Sequence, residues 1–496
     1  MPTKQFDLHR EGMAKLDTNV NRRQFLEVAA ATCVSVLVAP PLVASPAFAK
    51  SDDKIVNDVS QLNPVKIAAI QQPRSTADVQ SALRAWSGSV SVGGGRYSMG
   101  GQIAAANSMH FDMRALKNVI AINAAKKTIR VQAGITWRDI QDLIDPLNLS
   151  IKIMQSYSNF TVGGSLSVNC HGRYVGKGPI VNSVNAVQLV TVDGEVLELS
   201  RTQEPALFSA IFGGYGGLGI ITEVELALED NTKIERIIKK VALKDYPKYF
   251  QDNIVADKKI VLHNADLLPT DYSLYRTISW RETEKPLTQT ERLVPRGLNY
   301  RFEKNAIWSM TELPGGLHLR ESIDKINQAS DTKVTWRNLE ASLDAASLEP
   351  STRIFSTFLL QEYFIPVDNF LSFAQAMTKI LTARNVQVLN VSIRHSPADN
   401  ESLMKWAPSE VFSFVIYYKQ SNTPRARNTA KVWTRELIDA ALANTGRYYL
   451  PYRLDATPKQ FLQAYPEVKT YAALKAKMDP DNRLRNQLWD KYLPIV

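Results

Sequence analysis

Cysteine is nearly absent from this 496-residue chain: there are two. Cys33 lies in a segment that reads as a removable leader, so Cys170 alone stays in the mature chain. That excludes an intramolecular disulfide and any thiolate cluster for zinc or iron–sulfur. The histidines are few and scattered (His9, His110, His171, His263, His318, His395), at no metal-ligand spacing, so no metal is expected. No apolar run reaches the roughly 20 residues a spanning helix needs, so no integral membrane span is expected after leader removal. Basic residues exceed acidic ones by ten, yet they form no concentrated stripe of the kind that binds nucleic acid. That excess reads as solvated surface suited to an anionic substrate or acidic partner. There is no strand–GxGxxG–helix unit with an acidic residue about 20 positions on, which argues against a dinucleotide site of Rossmann type.

The N-terminal stretch "NRRQFLEVAAATCVSVLVAPPLVASPAFAK" places Arg22 and Arg23 before a modest apolar segment, then "AFA" before Lys50. Charge, a short apolar run and a small-residue cleavage site describe an export signal over residues 1–49. The arginine pair with Gln24, Phe25 and Leu26 resembles the twin-arginine signal, with departures at Asn21 and Glu27. Pro40 and Pro41 would interrupt an anchoring helix. Twin-arginine export moves folded proteins, typically with a cofactor already loaded, and the expected location is periplasmic or secreted.

Glycine is unevenly spent. Of the 22 that follow the leader, 18 lie between Gly88 and Gly219, whereas six of the eight tryptophans come after residue 235. A loop-rich ligand cradle is therefore expected first and a conventionally packed domain second. In the first part, "NVIAINAAKKTIRVQAG" reads as two strands around Ala124 to Lys127. "TWRDIQDLIDPLN" reads as a helix capped by Thr136, with Asp139 in capping-box position. Asp193-Gly194 reads as a hairpin turn, "EPALFSAI" as a short helix and "GIITEVELAL" as a strand. The fold class is α+β.

Three glycine-rich loops stand out: "SVGGGRYSMGGQ" at 91–102, "TVGGSLSVNCHGR" at 161–173 and "FGGYGGLGIIT" at 212–222. One such loop is weak evidence. Three between predicted strands and helices suggest chain segments converging on a long ligand with a pyrophosphate, which backbone N–H groups solvate without lysines.

In order and spacing these loops, with "HFDMRALKNV", "VQAGITWRDI" and "LVTVDGEVLEL", resemble the FAD-linked oxidoreductases of the vanillyl-alcohol oxidase and p-cresol methylhydroxylase (PCMH-type) superfamily, through residues 65 to about 230. The resemblance implies a two-domain flavoprotein: an FAD domain at 55–232, a substrate (cap) domain with an antiparallel sheet at 233–470, and a C-terminal helix at 471–496 returning to the first. It implies FAD bound by Gly94, Gly95, Arg96, Tyr97, Ser98 and Gly100; by Gly163, Gly164, Ser165, Ser167, His171 and Gly172; and by Gly217, Gly219, Ile220 and Thr222. Many members tether the flavin through a histidine where this chain has Tyr97. The second attachment point, a cysteine, would fall near Ser158 rather than at Cys170. Non-covalent FAD is expected. His171 reads either as a buried structural imidazole or as a polar group at the flavin edge.

The later stretches, among them "FLLQEYFIP" at 358–366 and "VSIRHSPAD" at 391–399, resemble the sugar-oxidising branch (aldonolactone oxidase, alditol oxidase, decaprenylphosphoryl-ribose oxidase). In alditol oxidase a Glu-x-Arg pair occupies the place of "SIR"; Arg394 matches its arginine, while Ser392 stands for its glutamate. The branch's lysine near the flavin falls at about Tyr452 or Arg453. The resemblance implies hydride transfer from a carbinol to flavin N5 on a sugar, polyol or lactone. A cation should face the negative charge that grows on the flavin; Arg394 and Arg453 suit that role, and Glu362 or His395 could take the hydroxyl proton. Strand alternation puts Arg394 and His395 on opposite faces, which favours Arg394. The electron acceptor stays open between oxygen and a cytochrome or quinone. An aromatic-alcohol or phenol oxidase and a non-catalytic exported flavin-binding protein are the alternatives.

Overall fold

A computed structural model describes residues 54–269, 271–312, 316 and 333–495. The leader expectation (Arg22, Arg23, Cys33) lies outside the described residues, as do His9 and His318.

The first part of the chain folds as its local signals direct. Asp193-Gly194 turns Val184–Val190 back onto Val196–Ser200, with Gly194 at φ +79°, a left-handed conformation that glycine adopts without strain. Val119–Asn123 and Thr128–Gln132 pair around the Ala124 to Lys127 turn. Both hairpins join Ile220–Asp230 in one antiparallel sheet, ordered 196–200, 184–190, 220–230, 128–132, 119–123, with Leu149–Ile151 added on the end of 220–230. Val90–Gly93 and Ala69–Gln71 flank Met109–Asp112 in a separate parallel sheet that delivers the first glycine loop. Thr136 caps the helix Trp137–Ile144 by accepting the Asp139 N–H at 3.1 Å.

One of the three loops is partly not a loop. Val162–Ser167 forms a short helix that carries Gly163 and Gly164. Gly163 is needed for close approach: its N–H donates to Ala133 O at 2.8 Å, and a Cβ there would stand 2.8 Å from that of Ala133.

Three residues after Asp230 the chain enters a second antiparallel sheet at Lys233–Ala242. Its eight strands run in the order Val334–Trp336, Lys233–Ala242, Asp271–Glu282, Ile260–Leu268, Val388–Ser396, Val411–Ser421, Ser356–Pro366, Arg447–Tyr448. Helices Phe370–Ala383 and Pro424–Ala443 cover one face. There Phe373 meets Phe414, and Trp433 meets Tyr418 edge-on, with ring centroids 4.9 Å apart in each pair. Alternation therefore turns Ser413, Val415 and Tyr417 to the other face. The architecture is α+β, with antiparallel sheets dominant.

The C-terminal segment packs back on the third glycine loop. Tyr471 Oη and Trp489 Nε1 both donate to Gly214 O (2.7 and 2.9 Å), and the buried Lys475 ammonium bridges Gly217 O and Asp479. Leu484 forms a parallel bridge with Val90 beneath the first loop.

Candidate active site

Between the cradle loops and the uncovered face of the eight-stranded sheet lies a cavity of about 600 Å³. One wall is glycine backbone. Gly94 to Ser98 line it from the first loop, Gly163 to Ser165 and Ser167 from the short helix, and Gly216 and Gly219 from the third loop. The Gly95 N–H donates to Thr161 Oγ1 at 3.1 Å, and a Cβ on Gly94 would overlap that same oxygen. Arg96 takes φ +62° and pairs with Asp112 at 3.1 Å, a carboxylate it shares with Arg114. Bare backbone from three segments beside a half-buried arginine suits an elongated ligand with phosphates at its middle. Tyr97 packs against Phe160 with ring centroids 4.1 Å apart and the planes tilted by 60°, and burial, with Glu349 and Asp344 nearby, pushes its phenol up to about 12.

Five of the sequence-predicted cofactor residues stand outside this cavity. A Cβ at Gly100 would overlap Tyr452 O, at Gly172 Met154 O, and at Gly217 Tyr471 Oη, so each of these glycines admits a close neighbour. Ile220 is buried in a core with Val190 and Leu484, and Thr222 Oγ1 donates to Gln188 Oε1 at 3.0 Å within its sheet. Glycine spacing alone does not separate a packing glycine from a ligand-facing one.

The opposite wall is a grid of side chains whose rows follow from strand register. Asp266 lies opposite Ser392, Ser392 opposite Val415, and Val415 opposite Glu362. The next row toward the apolar end runs Asn390, Tyr417, Leu360, and Asn264 stands beside Arg394 on the other side. All of these line the cavity. Glu362 is 3% exposed and His171 5%. His171 Nε2 stands 2.6 Å from Glu362 Oε1, and Tyr452 Oη is 3.5 Å from Oε2. Burial alone would raise the Glu362 carboxyl, but His171 and then Arg394 outweigh it and hold the group below its ordinary value. Burial and the Glu362 charge push the Tyr452 phenol well above its own. The Arg394 guanidinium makes no ion pair with any described residue, and its Nε is buried without a partner.

The structure separates the other two catalytic candidates from this group. His395 faces away: its Nε2 stands 2.6 Å from Glu410, and its ring packs on Phe250 and Phe412. Arg453 is spent on Asp455 at 2.6 Å and does not line the cavity. Asn264, Asp266 and Asn390 line the site without any local sequence signal, and only strand register brings them together; Arg173 joins them from the end of the second glycine-rich segment. Cys170 lines it too, its thiol pushed up to about 12 by burial. Among the described residues no group of histidine, cysteine and carboxylates could hold a metal, and no helix is long and apolar enough to cross a membrane.

A glycine cradle suited to a pyrophosphate faces a polar sheet across this cavity. The chain is similar to the FAD-linked oxidoreductases with a PCMH-type FAD domain, and its cofactor is FAD. Residues 67–200 match the family described as FAD binding domain, and residues 280–492 match D-arabinono-1,4-lactone oxidase. The chain is 31% identical over 183 residues to cytokinin dehydrogenase 2 of Arabidopsis thaliana, covering 36% of each. It is 30% identical over 206 residues to the mitochondrial L-galactono-1,4-lactone dehydrogenase 1 of Oryza sativa subsp. japonica, covering 40% of this chain and 35% of that one. It is 32% identical over 160 residues to an uncharacterised oxidoreductase of the fasciation locus of Rhodococcoides fascians, covering 32% and 36%. These alignments span about a third of the relatives' length.

Proposed function

We propose that the protein oxidises a hydroxyl-bearing carbon of a sugar, polyol or aldonolactone. The observation that carries this reading is the buried pair His171 and Glu362, with the half-buried Tyr452 and Arg394 beside it, facing the glycine cradle across one cavity. FAD, when bound, supplies the hydride acceptor at its N5. Gly94, Gly95, Arg96, Gly163, Gly164 and Gly219 would hold it. Glu362 keeps one oxygen on His171 and offers Oε2 to the substrate hydroxyl, whose proton it takes; burial keeps bulk water from competing for that oxygen. Arg394, without a carboxylate partner among the described residues, would present a fixed positive charge to a group that gains negative charge in the reaction. The lactone dehydrogenase among the relatives and the match over residues 280–492 support the same substrate class.

The test is anaerobic mixing of the FAD-loaded protein with a panel of polyols, aldonolactones and benzylic alcohols. Bleaching near 450 nm by a polyol or lactone is expected. Bleaching by benzylic alcohols alone would favour an aromatic-alcohol oxidase, a reading the apolar wall of Leu348, Phe358, Leu360 and Tyr417 keeps in play. No bleaching by any member would favour a non-catalytic flavin carrier. Oxygen against a cytochrome or quinone as acceptor is read from reoxidation of the same sample. The FAD is proposed to be non-covalent because Tyr97 stands at the tether position. Export in the folded state is proposed from Arg22, Arg23 and "AFA", and the double lysine variant should leave precursor in the cytoplasm. The division at 232/233 is proposed from the chain passing there between the two sheets.

A further inference from the structure

Four side chains of the cavity wall are left without a role by the chemistry above: Asn264, Asp266, Asn390 and Ser392. Asp266 and Ser392 are directly opposed across neighbouring strands, and both line the cavity. Asp266 is three strands from Glu362, so the two backbones lie roughly 14 Å apart at the usual strand spacing. Asp266 Oδ2 takes Arg276 at 3.1 Å. Among the described residues its Oδ1 is held only by two long contacts, from Asn264 Nδ2 at 3.3 Å and Asn390 Nδ2 at 3.4 Å. Ser392 Oγ has no hydrogen-bond partner among the described residues. A carboxylate oxygen braced by two carboxamides at long range still has room for one short bond from an O–H donor, and a charge-assisted bond of that kind outcompetes neutral ones.

We infer that Asp266, with Ser392 beside it, is a specificity-determining subsite that accepts a hydrogen bond from a substrate hydroxyl remote from the carbon being oxidised. This rests on the oxidoreductase reading above and sharpens its substrate class to neutral polyhydroxylated compounds. At the Asp266 end the charges disfavour an anionic substrate group. Arg173 is paired with Glu340 at 2.8 Å, Arg276 with Asp266, and Glu362 with His171, so Arg394 is the one cavity-lining arginine without a carboxylate partner among the described residues. A substrate carboxylate near Asp266 would meet like charge. Ser392 itself brings no charge, and Asp266 supplies the carboxylate from the facing position one strand over.

The experiment uses the FAD-loaded full chain, as wild type and as Asp266→Asn, with Asn390→Leu as a second variant that removes one brace and leaves the carboxylate. Binding is read as thermal stabilisation and as perturbation of the flavin spectrum. Reduction is read by stopped flow. The probes are polyols of increasing length, and each aldonolactone against its own open aldonate. In the wild type, affinity should rise with polyol length and lactone should bind in preference to aldonate. Asp266→Asn should flatten the length dependence by about tenfold or more for the longest polyol and reduce the lactone-over-aldonate preference, with the limiting reduction rate changed less than about threefold. Asn390→Leu should move affinity the same way by a smaller factor. A general fold defect would weaken all probes alike and leave both discriminations unchanged; that result, or an unaltered Asp266→Asn, overturns the subsite. Length-dependent binding lost in Asp266→Asn, with no probe reducing the wild-type flavin, would keep the subsite and sink the oxidation reading. Neither binding nor reduction would sink both.

Discussion

Gly94 and Ser392 look at each other's wall across one cavity, and the walls recognise by opposite means. Around Gly94 the chain presents main chain: glycines from three segments, with Thr161 Oγ1 occupying the room a Cβ would need. Around Ser392 it presents side chains set by the alternation and register of four strands. The first wall suits a ligand part that never changes, the second a part that differs between substrates. Changes in the glycine wall should therefore strike FAD retention and spare the chemistry, and changes in the sheet wall should do the reverse.

The largest breach of that contrast to look for is Glu362→Gln. The amide still touches His171 but cannot take a proton, so flavin reduction should slow by about 10³ while FAD stays bound. The same variant has a stability signature. The folded carboxyl sits below its ordinary 4.5, so its contribution is present above that pH and fades as the medium is acidified through the lower folded value. Wild-type melting temperature should fall faster than that of Glu362→Gln below pH 4.5. A variant that reduces at the parent rate removes Glu362 from the proton step.

Arg394→Met keeps bulk and removes charge. Losing one preorganised interaction of this kind costs about 3–4 kcal/mol, or 10² to 10³ in reduction rate, with FAD content unchanged. If reduction is unimpaired, Arg394 is structural. Arg453 is then no substitute, because Asp455 holds it away from the cavity.

On the other wall, Gly94→Ala forces Thr161 Oγ1 aside and costs the Gly95 N–H its partner. Overpacking of this sort costs about 1–3 kcal/mol, so FAD affinity should drop some 10- to 100-fold, measured by titrating FAD into apoprotein. At saturating FAD the reduction rate should recover to within about twofold. Failure to recover would mean that the two walls are not separable.

Much of the glycine wall is legible in the sequence, because a demand for bare backbone leaves its mark on composition and order. The hairpin at Asp193-Gly194, the Thr136 cap and the loop at 93–101 are all local signals. Three glycines of the cradle loops also have a packing role. Gly100, Gly172 and Gly217 resemble ligand glycines in the sequence, yet they admit neighbouring backbone or the Tyr471 hydroxyl. The sheet wall is legible only where a residue pattern carries it. Alternation correctly sets Arg394 against His395, but Asp266 faces Ser392 through a pairing between segments 126 residues apart, which no local period reveals.

The smallest expected effect is at Tyr97, and it sharpens the contrast most finely, because Tyr97 is a side chain on the wall of bare backbone. Its ring packs on Phe160 and its oxygen has no hydrogen-bond partner among the described residues. With the phenol pushed up to about 12 by burial and the nearby Glu349 and Asp344, the group stays neutral at any working pH and is a poor nucleophile. Tyr97→Phe preserves the ring contact and removes only that oxygen, so FAD affinity should change by less than about threefold. Acid precipitation should release the yellow colour to the supernatant from parent and variant alike. Colour that stays with the parent polypeptide and leaves with Tyr97→Phe would instead identify a covalent bond through the phenol oxygen, and the glycine wall would then owe its hold on the cofactor to a side chain after all.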